Sequence, residues 1–253
     1  MSSKAFYQSG VAPQLIHRWC RNSRAVEVWT TTCIVTNFGK PANCSTLVNP
    51  ANPELSGVSN FPYFPRGGPV PKEKPYSMHK DWQPLGYVST WGGMEVGSGM
   101  MFPVSVVDGL VHLHGGWKLQ AACAWHRLRR DPPCPIGSAI RTTAADQRLL
   151  DQYQAIVHTA PPFYQHDEKP EEGLHRCYQS SLDIAFGDGD TRVAFPLIGA
   201  GARGFPEDVA AQIAGQAMAE WASQDDGRQL TVSFGLLSTE IAEVLVDELL
   251  RNE

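Results

Sequence analysis

From residue 154 onward, apolar positions fall alternately into short continuous runs and into stripes at helical spacing. QAIVHTAPP reads as a buried strand stopped by Pro161 and Pro162. Residues 171–186, EEGLHRCYQSSLDIAF, put Leu174, Tyr178, Leu182 and Ala185 on one helical face. The run TRVAFPLIG then reads as a strand, a glycine-rich turn follows, and a helix spans Pro206 to Trp221. LTVSFGLL is the next strand, and STEIAEVLVDELL a last helix with Ser238 as its N-cap. Strands that alternate with helices in this way predict an α/β fold, a three-layer α/β/α sandwich around a mixed sheet.

The first half is less regular. VEVWTTTCIV, from Val26, is dense in β-branched residues and reads as a strand, and a second short strand covers Ser45 to Val48 before the chain turns at NPANPEL. Residues 57–105 hold prolines, glycines and aromatics (Phe61, Tyr63, Phe64, Tyr76, Trp82, Tyr87, Trp91) at a density that predicts an ordered insertion, with a hairpin around Gly86 to Glu95. Helical spacing returns in VVDGLVHLHGGWKLQAACAWHRL, interrupted at Gly115-Gly116, and DPPCPIGSAIRTT reads as a turn-rich linker. Residues 1–24 give no firm pattern and are taken as an extension packed on a single domain covering 1–253.

A chain of 253 residues with 42% hydrophobic and 19% charged positions builds its own core. The net charge of −5 argues against a broad nucleic-acid footprint and leaves room for a small anion held by backbone amides. Six cysteines (Cys20, Cys33, Cys44, Cys123, Cys134, Cys177) form no CxxC pair, so they read as reduced, packed thiols. The N-terminus lacks an apolar leader core, and no run reaches the ~18 apolar residues a membrane span needs. The expectation is a soluble intracellular protein, cytoplasmic or nuclear.

Candidate chemistry gathers at three places. In FPLIGAGARGFP, residues 195–206, Gly199, Gly201 and Gly204 free the backbone for positive φ and close approach, so an apolar strand opens through a glycine turn into a helix N-terminus. Converging amides there suit phosphate. Asn49 and Asn52 stand where the second strand ends, either as turn formers or at the strand edge where α/β sheets bind ligands. Asp108 opens the helix and His112 follows one turn later on the same face; alone, they read as a dipole-answering acid and a core histidine.

Taken together, these motifs resemble those of the macrodomain family, α/β/α modules that bind ADP-ribose. LVNPAN is similar to the family's asparagine-alanine-alanine-asparagine strand end, VDGLVH to its valine-aspartate-glycine helix start, CPIGSA to its cysteine-proline turn, IVHTAPP to its histidine-threonine strand, and FPLIGAGARGFP to its second phosphate loop. The resemblance implies that Asn37 accepts from the adenine amine, that Asn49 and Asn52 meet the distal ribose, and that Asp108 and His112 match the acid and histidine of ADP-ribosyl hydrolases. It also implies that Gly199, Ala200, Gly201, Ala202, Arg203 and Gly204 wrap the diphosphate, with Val106 and Val107 meeting it from the other side. Arg203 replaces an aromatic or aliphatic residue of relatives, and either clamps a phosphate or points to solvent. Leu237 lies near the position of the adenine-stacking aromatic, with Phe234 or Phe205 as substitutes.

The function this implies is binding of ADP-ribose and hydrolysis of ADP-ribosyl esters, on mono-ADP-ribosylated protein or O-acetyl-ADP-ribose. Asn52, Asp108 and His112 would be the catalytic set, and no cofactor or metal is implied. Two alternatives stay open: a non-enzymatic reader of ADP-ribosylated partners, favoured by the bulky MMFPVS segment before Asp108, and an ADP-ribose 1″-phosphate phosphatase.

Overall fold

The computed structural model describes residues 11–57 and 106–252, apart from 145, 166, 225, 226 and 228. The insertion, with its expected hairpin at Gly86 to Glu95, lies outside the described residues except for Gly57. The strands are β1 (Gln14–Arg21), β2 (Arg24–Thr30), β3 (Thr46–Pro50), β4 (Ala139–Thr143), β5 (Ala155–Thr159), β6 (Arg192–Phe195) and β7 (Leu230–Leu236). The helices are α1 (Val107–Arg127), α2 (Gln147–Leu150), α3 (Pro170–Gly187), α4 (Glu207–Ser223) and α5 (Thr239–Arg251).

The strands form one mixed sheet in the order β1-β2-β7-β6-β3-β5-β4. The inner five, β2 to β5, are parallel, and β1 and β4 close the two edges antiparallel to their neighbours. Burial explains that arrangement. All five residues of β5 and the first four of β3 are buried, as parallel strands covered on both faces require.

Two hydrophobic clusters lie on opposite sides of the sheet. One joins α3, α4 and α5 through Leu174, Tyr178, Ala214, Met218 and Leu245 to Val232 and Phe234. The other joins α1 and α2 through Leu110, Leu119 and Leu149 to Leu47 and Ile156. The expected three layers follow. β3 is followed by α1 on one face and β6 by α4 on the other, so the adjacent strands β3 and β6 mark a switch point, where α/β sheets open a crevice.

Several expectations are corrected. Residues 14–21 of the supposed extension are the edge strand β1, and the AIRTT end of the supposed linker is β4. The first strand stops at Thr30: Cys33, Ile34 and Val35 belong to a turn-rich loop and are buried as packing residues. Helix α1 holds the predicted interruption, with Gly116 at φ 58° and ψ −157°. Ser238 caps α5 as expected, its hydroxyl accepting from the Ile241 N–H. Among the described residues no helix is long and apolar enough to cross a membrane.

Candidate active site

β3 brings Asn49 to the carboxyl edge of the sheet directly beside His158 of β5, its partner in the parallel register. The Asn49 amide donates one N–H to Asp108 Oδ1 at 2.8 Å and lies 3.1 Å from His158 Nδ1. His158 Nε2 in turn lies 3.0 Å from Thr142 Oγ1 on β4. The carboxylate decides the orientation of the amide, since only an N–H can face it. With both Asn49 N–H groups donating, His158 Nδ1 must accept, and its proton sits on Nε2 and is donated to Thr142. Burial first, then the nearby imidazoles of His112 and His126, lower the His158 pKa to about 3, so the ring is neutral.

Asp108 lies in the first turn of α1 and is buried, as is His112 one turn later. His112 Nε2 stands 3.5 Å from Asp108 Oδ1 and makes no hydrogen bond among the described residues. Asp108 Oδ2 takes no protein donor there either, which leaves one carboxylate oxygen held and the other available to water. Val106, at the N-cap, is extended and offers no side-chain cap, so the first-turn amides of α1 take no acceptor from the cap side chain.

Asn52 is arranged differently from the expectation. Its Nδ2 donates to the Gly57 carbonyl at 3.2 Å, and its Oδ1 accepts from the Ser56 N–H and hydroxyl at 3.0 and 3.2 Å. Both ends of the amide thus close the turn Asn52–Gly57 rather than facing outward. Gly57, at φ 68°, lies against the His112 ring, 2.9 Å from His112 Cγ to where a Cβ would stand.

The glycine loop after β6 takes positive φ at Gly199 (89°) and Gly204 (78°) but not at Gly201. Gly199 also has a packing reason, because a Cβ there would meet Phe205 Cδ2 at 2.9 Å. The N–H groups of Gly204 and Phe205 close the turn onto Gly201 and Gly199 carbonyls. Those of Gly201 and Ala202 find no acceptor among the described residues. Arg203 does not point to solvent: it is buried, its guanidinium 4.3 Å from the Phe163 ring centre, and its Nη2 donates to the Ala51 carbonyl at 3.1 Å. The phosphate loop is thereby tied to the asparagine loop.

Asn37, expected at the adenine, donates through Nδ2 to the Val11 carbonyl and to Thr32 Oγ1, at 3.0 and 3.2 Å. Leu237 is 73% exposed beyond the end of β7. Phe234 and Phe205 are fully buried in the core, so neither substitutes as a stacking surface. Burial raises the thiol pKa of Cys123 and Cys134 to about 12, and of Cys44 and Cys177 to about 11, which leaves them inert. Among the described residues no group of three His, Cys, Asp or Glu side chains is placed to hold a metal ion.

Residues 99–214 match the family model of the Macro domain. Over those residues the chain is similar to the Macro domain. A Macro domain-containing protein of Listeria monocytogenes is 35% identical over 120 residues, covering 47% of this chain and 65% of the relative. An O-acetyl-ADP-ribose deacetylase of Citrobacter rodentium is 37% identical over 116 residues, 46% of this chain and 63% of the relative. The chain therefore spans less than two thirds of these curated relatives. The macrodomain of Oceanobacillus iheyensis, solved with ADP, superimposes with a TM-score of 0.66 at 20% identity, covering 95% of this chain and 97% of that one. A mutant of it has been solved with ADPR, with a TM-score of 0.64 at 22% identity over 95% and 98% of the two chains. At such identity the likeness speaks for the macrodomain fold.

His158, Thr142 and Gly57 are functional candidates that sequence reasoning did not single out. A signal existed for His158: an imidazole within a strand that reads as buried must find partners for both ring nitrogens.

Proposed function

We propose that this macrodomain binds ADP-ribose at the β3–β6 crevice and hydrolyses an ADP-ribosyl ester, borne by O-acetyl-ADP-ribose or by a mono-ADP-ribosylated protein. The observation that carries this reading is Asp108, oriented by Asn49 through one oxygen and taking no donor at the other among the described residues. Amides of Gly201 and Ala202 on one side, and the uncapped start of α1 at Val106 and Val107 on the other, supply donors of the kind a diphosphate takes. The name of the Citrobacter relative and the ADPR-bound Oceanobacillus macrodomain support the same substrate class.

In this reading water lies on Asp108 Oδ2 and attacks the reacting carbon, the anomeric carbon of an ADP-ribosyl carboxylate or the acyl carbonyl of O-acetyl-ADP-ribose. The new C–O bond forms as the ester C–O bond at that carbon breaks, and the water proton passes to Asp108. The leaving oxygen departs as the free carboxylate in the first case or, after protonation, as the ribose hydroxyl in the second. His112 lines the wall beside Asp108. Asn52 acts by fixing the Ser56–Gly57 turn against His112. Asn37 and Leu237 border the adenine.

Calorimetry with ADP-ribose measures binding, and release of acetate from O-acetyl-ADP-ribose measures turnover. Asp108→Ala is expected to lower turnover roughly 100- to 10,000-fold while the dissociation constant for ADP-ribose changes by less than about tenfold, since backbone donors dominate affinity. Undiminished turnover in that variant would sink the catalytic assignment.

One observation favours a reader instead: the Asn52 amide is committed to its own turn and offers no free group to the ribose. A reader would bind ADP-ribose equally well and leave a mono-ADP-ribosylated protein intact on incubation.

A further inference from the structure

We propose that His158 is a positioning residue for the hydrolysis inferred above: locked as a neutral ring by Thr142, it holds Asn49 so that Asn49 aims Asp108. The inference rests on that functional reading for its catalytic consequence, and on geometry alone for its structural part.

Asn49 has an amide with two N–H groups and one oxygen, and its oxygen is buried without a hydrogen-bond partner among the described residues. An orphaned buried carbonyl costs about 1–3 kcal/mol, and a freely rotating amide would relieve that cost by turning. The amide stays because both N–H groups are engaged, one by Asp108 Oδ1 and the other by His158 Nδ1. Rotating it by 180° would set its oxygen against a carboxylate. His158 is fully buried and pinned at its far nitrogen by Thr142, so the imidazole cannot turn away. Four side chains on four different elements, β4, β5, β3 and α1, are joined in one line: Thr142, His158, Asn49, Asp108.

The arrangement has the form of a support for a reacting group. Asp108 stands on the first turn of α1, where the N-cap residue Val106 offers no side-chain cap. The Asn49 hydrogen bond is what ties its carboxylate to the sheet, because His112 is placed at an ion-pair distance without a hydrogen bond. A histidine serving only to fill the core would need no partner that itself contacts an acid at the site. Displacing a reacting group by about 1 Å costs on the order of 100-fold in rate, so loosening this line is read in turnover.

The test compares wild type with His158→Phe, His158→Gln and Thr142→Val. His158→Phe keeps the planar bulk and removes the acceptor. His158→Gln restores an acceptor and a donor, and Thr142→Val removes only the pin. With O-acetyl-ADP-ribose, kcat is expected to fall roughly 10- to 100-fold in His158→Phe with KM within about threefold. Partial recovery is expected in His158→Gln and a smaller loss in Thr142→Val, with calorimetric affinity for ADP-ribose preserved in all three. Wild-type kcat in folded His158→Phe, or in Thr142→Val should the former not fold, overturns the proposal. A second readout does not depend on turnover: the ring ¹⁵N shifts of His158. They should report a neutral Nε2–H form in the wild type, with the Nδ1 signal moving in Asn49→Ala. An Nδ1–H form, or an Nδ1 signal indifferent to Asn49→Ala, also overturns it. If the wild type binds ADP-ribose but does not turn over any ester, the hydrolase reading fails. The nitrogen shifts then still decide whether His158 holds Asn49.

Discussion

Arg203 Nη2 donates to the Ala51 carbonyl at 3.1 Å, so a side chain of the loop after β6 holds the backbone of the loop after β3. The guanidinium also covers the Phe163 ring, and the Arg203 carbonyl accepts from the Tyr164 N–H at 3.0 Å. Three loops at the carboxyl edge of the sheet meet on this one residue. Arg203→Ala removes the link and leaves the Ala51 carbonyl without this donor. A loss of about 1–3 kcal/mol in stability is expected, together with an approximately tenfold weaker ADP-ribose affinity. Arg203→Lys is expected to restore little of either, because an ammonium cannot both stack on Phe163 and reach Ala51 as the planar fork does. Urea denaturation and calorimetry check the two effects separately.

Gly57 and His112 form a second dependent pair. A side chain at Gly57 would be strained by the positive φ and would press the His112 ring at 2.9 Å. Gly57→Ala is expected to destabilise by about 1–3 kcal/mol and to lower turnover. In a His112→Ala background the steric part disappears and only the backbone part, about 1 kcal/mol, should remain. A double-mutant cycle measured by denaturation gives the coupling directly. Additive effects would show that the two do not press on each other.

Stability should fall in acid through His158. Its pKa is lowered from 6.5 to about 3 in the folded protein, so the unfolded chain binds a proton that the native chain refuses between those values. The stability contributed by keeping it neutral is complete above about pH 6.5 and is lost progressively as pH falls toward 3. The full effect is on the order of 3–5 kcal/mol. Thermal melts from pH 7 to pH 4 should show a steeper decline in the wild type than in His158→Gln, which has no proton to take up.

Leu237 is 73% exposed beyond β7, and under the proposed function it offers the adenine only a small flexible surface. Leu237→Trp should add a stacking face without disturbing the core. Stacking on an aromatic contributes about 1–3 kcal/mol per base, so ADP-ribose affinity is expected to rise at least fivefold in calorimetry, with turnover per bound substrate unchanged. An affinity no better than wild type would place the base elsewhere.

How far the sequence could be read depended on burial. β5, β6 and β7 are short, largely apolar and mostly buried runs, and α3 carries a clear stripe through Leu174, Tyr178 and Leu182, so their types were legible. β1 and β4 are edge strands whose residues are mostly half-buried or exposed, and their mixed composition hides the pattern. Cys33, Ile34 and Val35 gave the opposite error: they are apolar because a loop packs them inward, which periodicity cannot tell from a strand. Asn49 on β3, Asp108 in the first turn of α1 and the glycine turn after β6 were legible as features of the chain because their motifs are local. The contact between Asn49 and His158, 109 residues apart, depends on strand register, which no local pattern encodes.

The switch between β3 and β6 has a mechanical consequence. α1 belongs to one hydrophobic cluster and α4 to the other, on opposite faces of the sheet. A ligand that takes donors from the start of α1 and from the loop leading into α4 would therefore bridge two separately packed halves. Such a ligand works as a rivet between the two halves. At a hundredfold excess over its dissociation constant it would add about 2.7 kcal/mol to the folded state, and by joining the halves it would make them melt together.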